Sequence, residues 1–126
     1  MFLNNLYTVE GITRNEAEIR ATVLLNSNSP VYGAHFPGNP ITPGACLVEM
    51  GRELCALVLE KNMFLEKADH VKFLKGIHPE ETPHIEYLIL PEYLKEQDVW
   101  KIRIEVTGGN VQMTKMVLWL KEIVSV

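Results

Sequence analysis

The sequence predicts an α+β fold in which a six-stranded antiparallel sheet wraps around one long central helix. Only one segment, from Pro43 to about Lys61, has the length and spacing of a long helix, and it is apolar around most of its circumference. The other segments alternate apolar and polar residues in short runs joined by turn residues. A helix buried on most sides requires a curved sheet around it, and hairpin connections make that sheet antiparallel.

Length and composition predict a single domain over residues 1–126 and exclude several kinds of protein. The chain is 47% apolar and 22% charged, which suits a packed core, and its net charge of −4 argues against nucleic acid as a partner. The first residues lack the pattern of a signal peptide, and no apolar run approaches the roughly 18 residues of a membrane span. Cys46 and Cys55 lie roughly 13 Å apart if they share a helix, too far for a disulfide. Free thiols and no membrane segment favour a cytoplasmic protein.

The N-terminal third predicts a β-hairpin. Leu6 to Ile12 forms the first strand, and residues 13–16 form the turn. Ala17 to Leu25 then alternates, so that one face of the second strand is apolar. The apolar face consists of Ile19, Ala21, Val23 and Leu25. A polar stretch ending at Pro30 closes this unit.

The long helix has one narrow polar stripe. Thr42 suits the N-cap, and Pro43 suits the first helical position. At 100° per residue, five residues fall on a stripe about 100° wide. They are Glu49, Arg52, Glu53, Ala56 and Glu60. The stripe is explained either by a solvent-facing slot or by a subunit interface.

The C-terminal half predicts the rest of the sheet. The predicted strands are Val71–Lys75, His84–Leu90, Val99–Thr107 and Val111–Val124. Val71 and Phe73 share a face of their strand. Pro91 ends the predicted strand His84–Leu90. Gly108-Gly109-Asn110 is a hairpin signal, and the run from Met116 to Leu120 suggests burial on both faces. Trp100 and Trp119 are predicted to belong to the core.

The stretch from Gly33 to Glu49 carries the most specific pattern in the chain. It contains three of the seven prolines and three of the eight glycines, which predicts a stiff, specifically shaped loop. An imidazole, His35, lies near its start, and a carboxylate, Glu49, follows fourteen residues later on the helix. A rigid loop between a candidate base and a candidate acid indicates a chemical role.

This stretch resembles the 3-hydroxyacyl-acyl-carrier-protein dehydratases of the FabZ/FabA type. Their pattern is His-Phe-Pro-Gly-x-Pro-(apolar)-x-Pro-Gly with an acid fourteen residues after the His, and this chain reads HFPGNPITPG from His35 to Gly44 with Glu49 in place. The resemblance implies the hot-dog fold, no cofactor and no metal. It also implies dehydration of a 3-hydroxyacyl thioester on acyl carrier protein to the trans-2-enoyl thioester and water, in fatty-acid or related lipid or polyene biosynthesis.

The resemblance assigns roles to individual residues. His35 would remove the α-proton, and Glu49 would assist departure of the β-hydroxyl, directly or through a water molecule. The Gly44 N–H would bind the thioester carbonyl, and Phe36, Pro43 and Ala45 would be further substrate-binding positions. In the family the His and the acid come from opposite subunits, so the site implies a homodimer or a multiple of it. An imidazole suits base catalysis near neutrality, and a helix N-terminus suits a developing oxyanion.

The turn after the acid departs from the family pattern, which commonly has small residues and a Gln there. Here it contains Arg52 and Glu53. Pairing of Glu49 with Arg52 would favour the ionised carboxylate and oppose proton donation, whereas proximity to Glu53 would favour a proton on one of the two. Three functions therefore stay open: the dehydratase, a hot-dog acyl-thioesterase, and a non-catalytic subunit that binds acyl groups or acyl carrier protein.

Other reactive residues are predicted to be structural. His70, His78 and His84 share no metal spacing, and Cys46 is a packed thiol rather than a nucleophile. Four lysines could contact an acidic carrier protein, although a solvated surface is the simpler interpretation. They are Lys61, Lys67, Lys72 and Lys75.

Overall fold

A computed structural model of the chain describes residues 1–34 and 38–124. The elements are β1 (Tyr7–Asn15), β2 (Glu18–Leu25), α1 (Pro30–Ala34), α2 (Gly44–Leu59), β3 (Met63–Phe73), β4 (His84–Leu94), β5 (Val99–Gly108) and β6 (Val111–Glu122). All strands pair antiparallel in one sheet of order β1-β2-β4-β5-β6-β3. The predicted α+β class, with six strands and one long helix, is confirmed.

The first hairpin forms as predicted. The alternating residues of β2 are buried, and they are the ones named above as its apolar face. β1 extends to Asn15, into the predicted turn, so that the actual turn is Glu16–Ala17, with Glu16 in the left-handed region. A tighter turn therefore leaves a longer β1.

Helix α2 packs against the sheet through Gly51. A Cβ at this position would lie 3.1 Å from Leu118 Cδ1 and 3.2 Å from Ile104 Cδ1, so the missing side chain allows a close approach to β5 and β6. The buried face of the helix also includes Met50 and Leu54, both fully buried. The long predicted helix is confirmed, but its N-cap is Pro43 rather than Thr42. Thr42 is buried, and its hydroxyl instead bonds to Tyr32.

Two strands differ from their predicted bounds. β3 begins at Met63, eight residues before the predicted start, and ends at Phe73. Most of β3 is exposed, so it lacks the half-buried alternation by which strands are recognised. β4 continues through Pro91 because its pairing with β2 ends at Ile89, so the missing N–H of Pro91 is not needed on that side.

The β5–β6 hairpin is tight and close to the prediction. Gly109 and Asn110 both have positive φ, as a two-residue hairpin turn requires. The inward face of β5 comprises Ile102, Ile104 and Val106, all buried, with Trp100 packed against the core. Trp119 differs from the prediction, since it lies half-buried on the other face of the sheet between the ammonium groups of Lys67 and Lys101.

Candidate functional site

The loop that leads into α2 is anchored at several points. Tyr32 Oη lies 2.9 Å from Thr42 Oγ1, and the Thr42 N–H donates to the Ile77 carbonyl at 2.8 Å. His78 Nδ1 donates to the Pro40 carbonyl at 3.1 Å, which gives this histidine the structural role predicted for it. The residues just before the helix are therefore held by α1 on one side and by the chain around Ile77 and His78 on the other. The predicted base His35 and the predicted substrate-binding Phe36 lie outside the described residues.

The N-terminus of α2 is uncapped and covered by an aromatic ring. Pro43 provides no side-chain hydrogen bond, and the N–H groups of Gly44 and Ala45 find no acceptor in residues 1–34 and 38–124. The ring of Phe73 lies against Gly44, where an added Cβ would be 2.4 Å from Phe73 Cζ. Gly44 is thus required for this contact. Unpaired N–H groups with positive helix-end potential could stabilise a carbonyl oxygen that gains charge.

A β-bulge directs Phe73 towards this helix end. Asp69 pairs with Val117 and Lys72 pairs with Lys115, so two residues of β3 face one residue of β6. His70 lies in the bulge with a φ of 48°, in the left-handed region. The extra residue leaves Lys72 on the outer face of the sheet and Phe73 on the inner face.

Glu49 projects from α2 in an ion pair with Arg52. Arg52 Nε donates to both carboxylate oxygens, at 3.2 Å to Oε2 and closer to Oε1, and Arg52 Nη1 donates to the Met63 carbonyl at 2.9 Å. The hydrogen bond to Glu49 raises the pKa of Arg52. The side chains of Glu49 and Arg52 are 36% and 21% exposed. Of the two pairings that the sequence left open, the one with Arg52 forms.

Glu53 is turned away from Glu49 towards the N-terminal segment. It is only 3% exposed, although it belongs to the polar stripe. Its carboxylate accepts the Phe2 N–H at 2.8 Å, the Leu3 N–H at 3.0 Å and the Tyr7 hydroxyl at 2.9 Å. Burial, together with the hydrogen bond to Glu53, raises the pKa of Tyr7 well above its usual range. No local sequence signal indicates this role, because its partners lie at least 46 residues away.

A groove of about 360 Å³ opens beside Glu49. It is lined by Met1, Phe2, Asn5, Pro30, Val31, Glu49 and Glu53. Among the predicted site residues that the structure describes, only Glu49 borders this groove; Pro43, Gly44 and Ala45 lie at the start of the same helix. The site residues that sequence reasoning missed are those of the N-terminal segment, which forms one side of the groove.

The other cysteine and histidine side chains within residues 1–34 and 38–124 are buried or paired. Cys46 and Cys55 are free and buried, and burial raises the pKa of both thiols, which disfavours the nucleophilic thiolate. His84 pairs with Glu10, and His70 with Asp69. No group of metal-ligating side chains occurs in the described part of the chain. The helices described within residues 1–124 include none long and apolar enough to cross a membrane.

Comparison with solved structures shows the fold. The chain resembles the dehydratase heterocomplex ApeI:P from Xenorhabdus doucetiae with a TM-score of 0.66 and 14% identity, over 91% of this chain and 97% of that one. It resembles a hypothetical thioesterase from Streptococcus pneumoniae, solved with coenzyme A, with a TM-score of 0.63 and 11% identity, over 92% and 87% of the two chains. The predicted hot-dog fold is confirmed, but at these identities the fold alone does not separate a dehydratase from a thioesterase.

Sequence comparison gives relatives that are named dehydratases. The chain is 29% identical over 105 residues to the 3-hydroxyacyl-[acyl-carrier-protein] dehydratase FabZ of Rickettsia bellii, covering 75% of this chain and 70% of that protein. It also matches the ApeI-like family, described as ApeI dehydratase, over residues 11–113. The FabZ-like resemblance predicted from the motif is thereby confirmed. Since the family match spans most of the chain, this protein belongs to the ApeI-like dehydratase family.

Proposed function

We propose that the protein catalyses the reversible dehydration of a 3-hydroxyacyl thioester on acyl carrier protein to the trans-2-enoyl thioester. The observation that carries this proposal is the position of Glu49, which borders a groove on the same helix whose uncapped start is Gly44. Glu49 comes five positions after Gly44, which is about 7.5 Å along the helix axis. That spacing suits a substrate whose carbonyl lies at Gly44 and whose β-hydroxyl lies near Glu49.

The proposed roles follow from the chemistry of elimination. His35 takes the proton from Cα, the electron pair forms the Cα–Cβ double bond, and the Cβ–O bond breaks. The Glu49 carboxyl donates a proton to the leaving hydroxyl, directly or through a water molecule, and the hydroxyl departs as water. The Gly44 N–H stabilises the charge that develops on the thioester oxygen. Phe36, Pro43 and Ala45 complete the substrate contacts, and the reaction needs neither metal nor cofactor.

The ion pair between Glu49 and Arg52 favours a second candidate function. A general acid must donate a hydrogen bond to the leaving oxygen, whereas both Glu49 carboxylate oxygens accept hydrogen bonds from Arg52 Nε. A chain with this pair could bind acyl carrier protein or its acyl group without turnover, or support an active subunit. This candidate and the dehydratase differ in whether the purified chain alone changes the substrate.

We further propose a cytoplasmic homodimer that contributes His35 of one subunit and Glu49 of the other to each site. Strand β3 ends the sheet, and it exposes apolar side chains that a second copy could cover. They are Phe64, Leu65 and Phe73, followed by Leu74. Two free, buried thiols support a reducing compartment. The exposed lysines at 67, 72 and 75 are candidate contacts for an acidic carrier protein, with Lys61 less exposed.

The test is hydration of a short trans-2-enoyl thioester on acyl carrier protein, followed as loss of enoyl absorbance. We expect His35→Ala and Glu49→Gln to lower kcat by about 10²–10⁴-fold. His84→Ala, which lies outside the groove, should retain the wild-type rate. An inactive wild-type protein, or full activity of both variants, would refute the proposal. Thiol release without enoyl loss would indicate a thioesterase, and activity only with a second chain would indicate the non-catalytic subunit.

A further inference from the structure

The N-terminal segment, residues 1–5, is fixed beside the groove by a dense set of bonds. The Glu53 carboxylate binds two successive backbone N–H groups, those of Phe2 and Leu3. The segment also folds on itself, since the Asn4 N–H donates to the Tyr7 carbonyl at 2.7 Å and the Asn5 N–H to the Phe2 carbonyl at 2.9 Å. Three donors satisfy one buried carboxylate, so the segment is held to α2 as a rigid part of the fold.

The order of groups along α2 places this segment beyond Glu49. Glu53 follows Glu49 by four residues, which is about 6 Å along the helix axis in the direction away from Gly44. A substrate with its carbonyl at Gly44 and its hydroxyl at Glu49 therefore extends its acyl chain towards Glu53. There the chain meets the side chains of Phe2 and Val31, which line the groove.

We propose that residues 1–5, positioned by Glu53, form the end wall of the acyl pocket and restrict this protein to short acyl chains. This inference rests on the proposed function and specifies its substrate class. The groove of 360 Å³ lies near the low end of the roughly 300–1,000 Å³ typical of ligand pockets. Phe2 is bonded to Glu53, which lies only about 6 Å beyond Glu49 along the helix axis, so only a few methylene groups fit between Glu49 and the wall.

The chemistry of the wall also selects its ligand. Phe2, Pro30 and Val31 present apolar surface, and the charge of Glu53 is satisfied by its three donors. An unsubstituted alkyl chain suits this surface, whereas a charged chain end would lose its hydration without gaining a partner. Glu53 acts here as a positioning residue, because it touches the segment rather than the reacting atoms.

The experiment measures kcat/KM for 3-hydroxyacyl or enoyl thioesters from four to twelve carbons on acyl carrier protein. Wild type should favour the shortest chains by at least about tenfold. Phe2→Ala keeps the backbone bonds to Glu53 but removes the wall, and Glu53→Gln loosens the segment. Both should raise the relative rate of longer chains, by about fourfold for each methylene group newly buried. Phe2→Trp should narrow the range, and Val111→Ala, an exposed truncation outside the groove, should leave the profile unchanged.

A second readout separates this inference from the proposed function. Pantetheine thioethers with alkyl chains of the same lengths cannot react, and their dissociation constants report the pocket alone. If wild type turns over no substrate, the proposed function fails. The wall is still supported if wild type binds short thioethers more tightly than long ones and Phe2→Ala reduces that preference. If folded wild type, Phe2→Ala and Glu53→Gln share one length profile in both assays, the wall is refuted.

Discussion

The contact between Gly44 and the ring of Phe73 predicts a strong coupling between these two positions. In Gly44→Ala the new Cβ would lie 2.4, 2.6 and 2.9 Å from three ring carbons, so the ring must move. Overpacking of this kind costs about 1–3 kcal/mol. The ring is 54% exposed and can turn partly outwards, which favours the lower part of that range. Alanine recovers about 0.5–1 kcal/mol by lowering the conformational entropy of the unfolded chain, so we expect a net loss of about 0.5–1 kcal/mol.

The assay is urea unfolding of wild type, Gly44→Ala, Phe73→Ala and the double variant. Without the ring, Gly44→Ala should become stabilising by about 0.5–1 kcal/mol, so the coupling energy should be about 1–2 kcal/mol. Gly33→Ala is the matched control, since a Cβ there meets nothing within 4 Å, and it should show no coupling to Phe73. A coupling energy below about 0.5 kcal/mol between Gly44 and Phe73 would refute this reasoning.

Three further predictions concern the same helix and its surroundings. The raised pKa of Tyr7 means that its contribution to stability is complete below pH ~10 and is lost as the pH rises further, because the unfolded chain releases a proton that the folded chain keeps. Tyr7→Phe should therefore reduce the alkaline slope of the unfolding free energy by about 1.4 kcal/mol per pH unit, and an unchanged slope would contradict this assignment. Gly51→Ala places a Cβ 3.1 Å from a methyl group of the sheet that can yield slightly, so its stability should stay within about 1 kcal/mol of wild type. Gly51→Leu should cost about 2–3 kcal/mol in the same urea titration, and a neutral result would show that the helix is not tightly packed there. Arg52→Met removes the partly exposed ion pair and the hydrogen bond to the Met63 carbonyl. Thermal unfolding should show that its free energy of unfolding is about 1–2 kcal/mol lower than that of wild type, and an unchanged value would contradict a stabilising role for these bonds.

The sequence predicted those elements whose pattern is local. The apolar circumference of α2 and the alternation of β2 and β5 each depend on residues within one element, and all three formed where expected. The motif from His35 to Glu49 likewise indicated the family. Short α1 was missed because five residues span little more than one helical turn, too few to show a period.

What the sequence could not predict depends on partners distant along the chain. Thr42 has the side chain of a good N-cap, but the hydroxyl of Tyr32 competes for it and the helix starts one residue later. Glu53 lies on a polar stripe, yet backbone groups 50 and 51 residues away bury it. Helical projection places a carboxylate on a face but does not show which backbone will meet it.

The bulge at His70 has a consequence for how the length of this chain can vary. Because two residues of β3 share one partner on β6, a deletion of His70 restores regular pairing and leaves Phe73 on the face that meets Gly44. A deletion in a regularly paired strand, such as that of Arg103 in β5, has no such reserve, and it would exchange the faces of the residues that follow. Single-residue deletions should therefore be tolerated at the bulge and harmful in β5, which unfolding midpoints would show. The bulge therefore keeps Phe73 against the start of α2, the helix end that the proposed reaction uses, even when β3 loses one residue there.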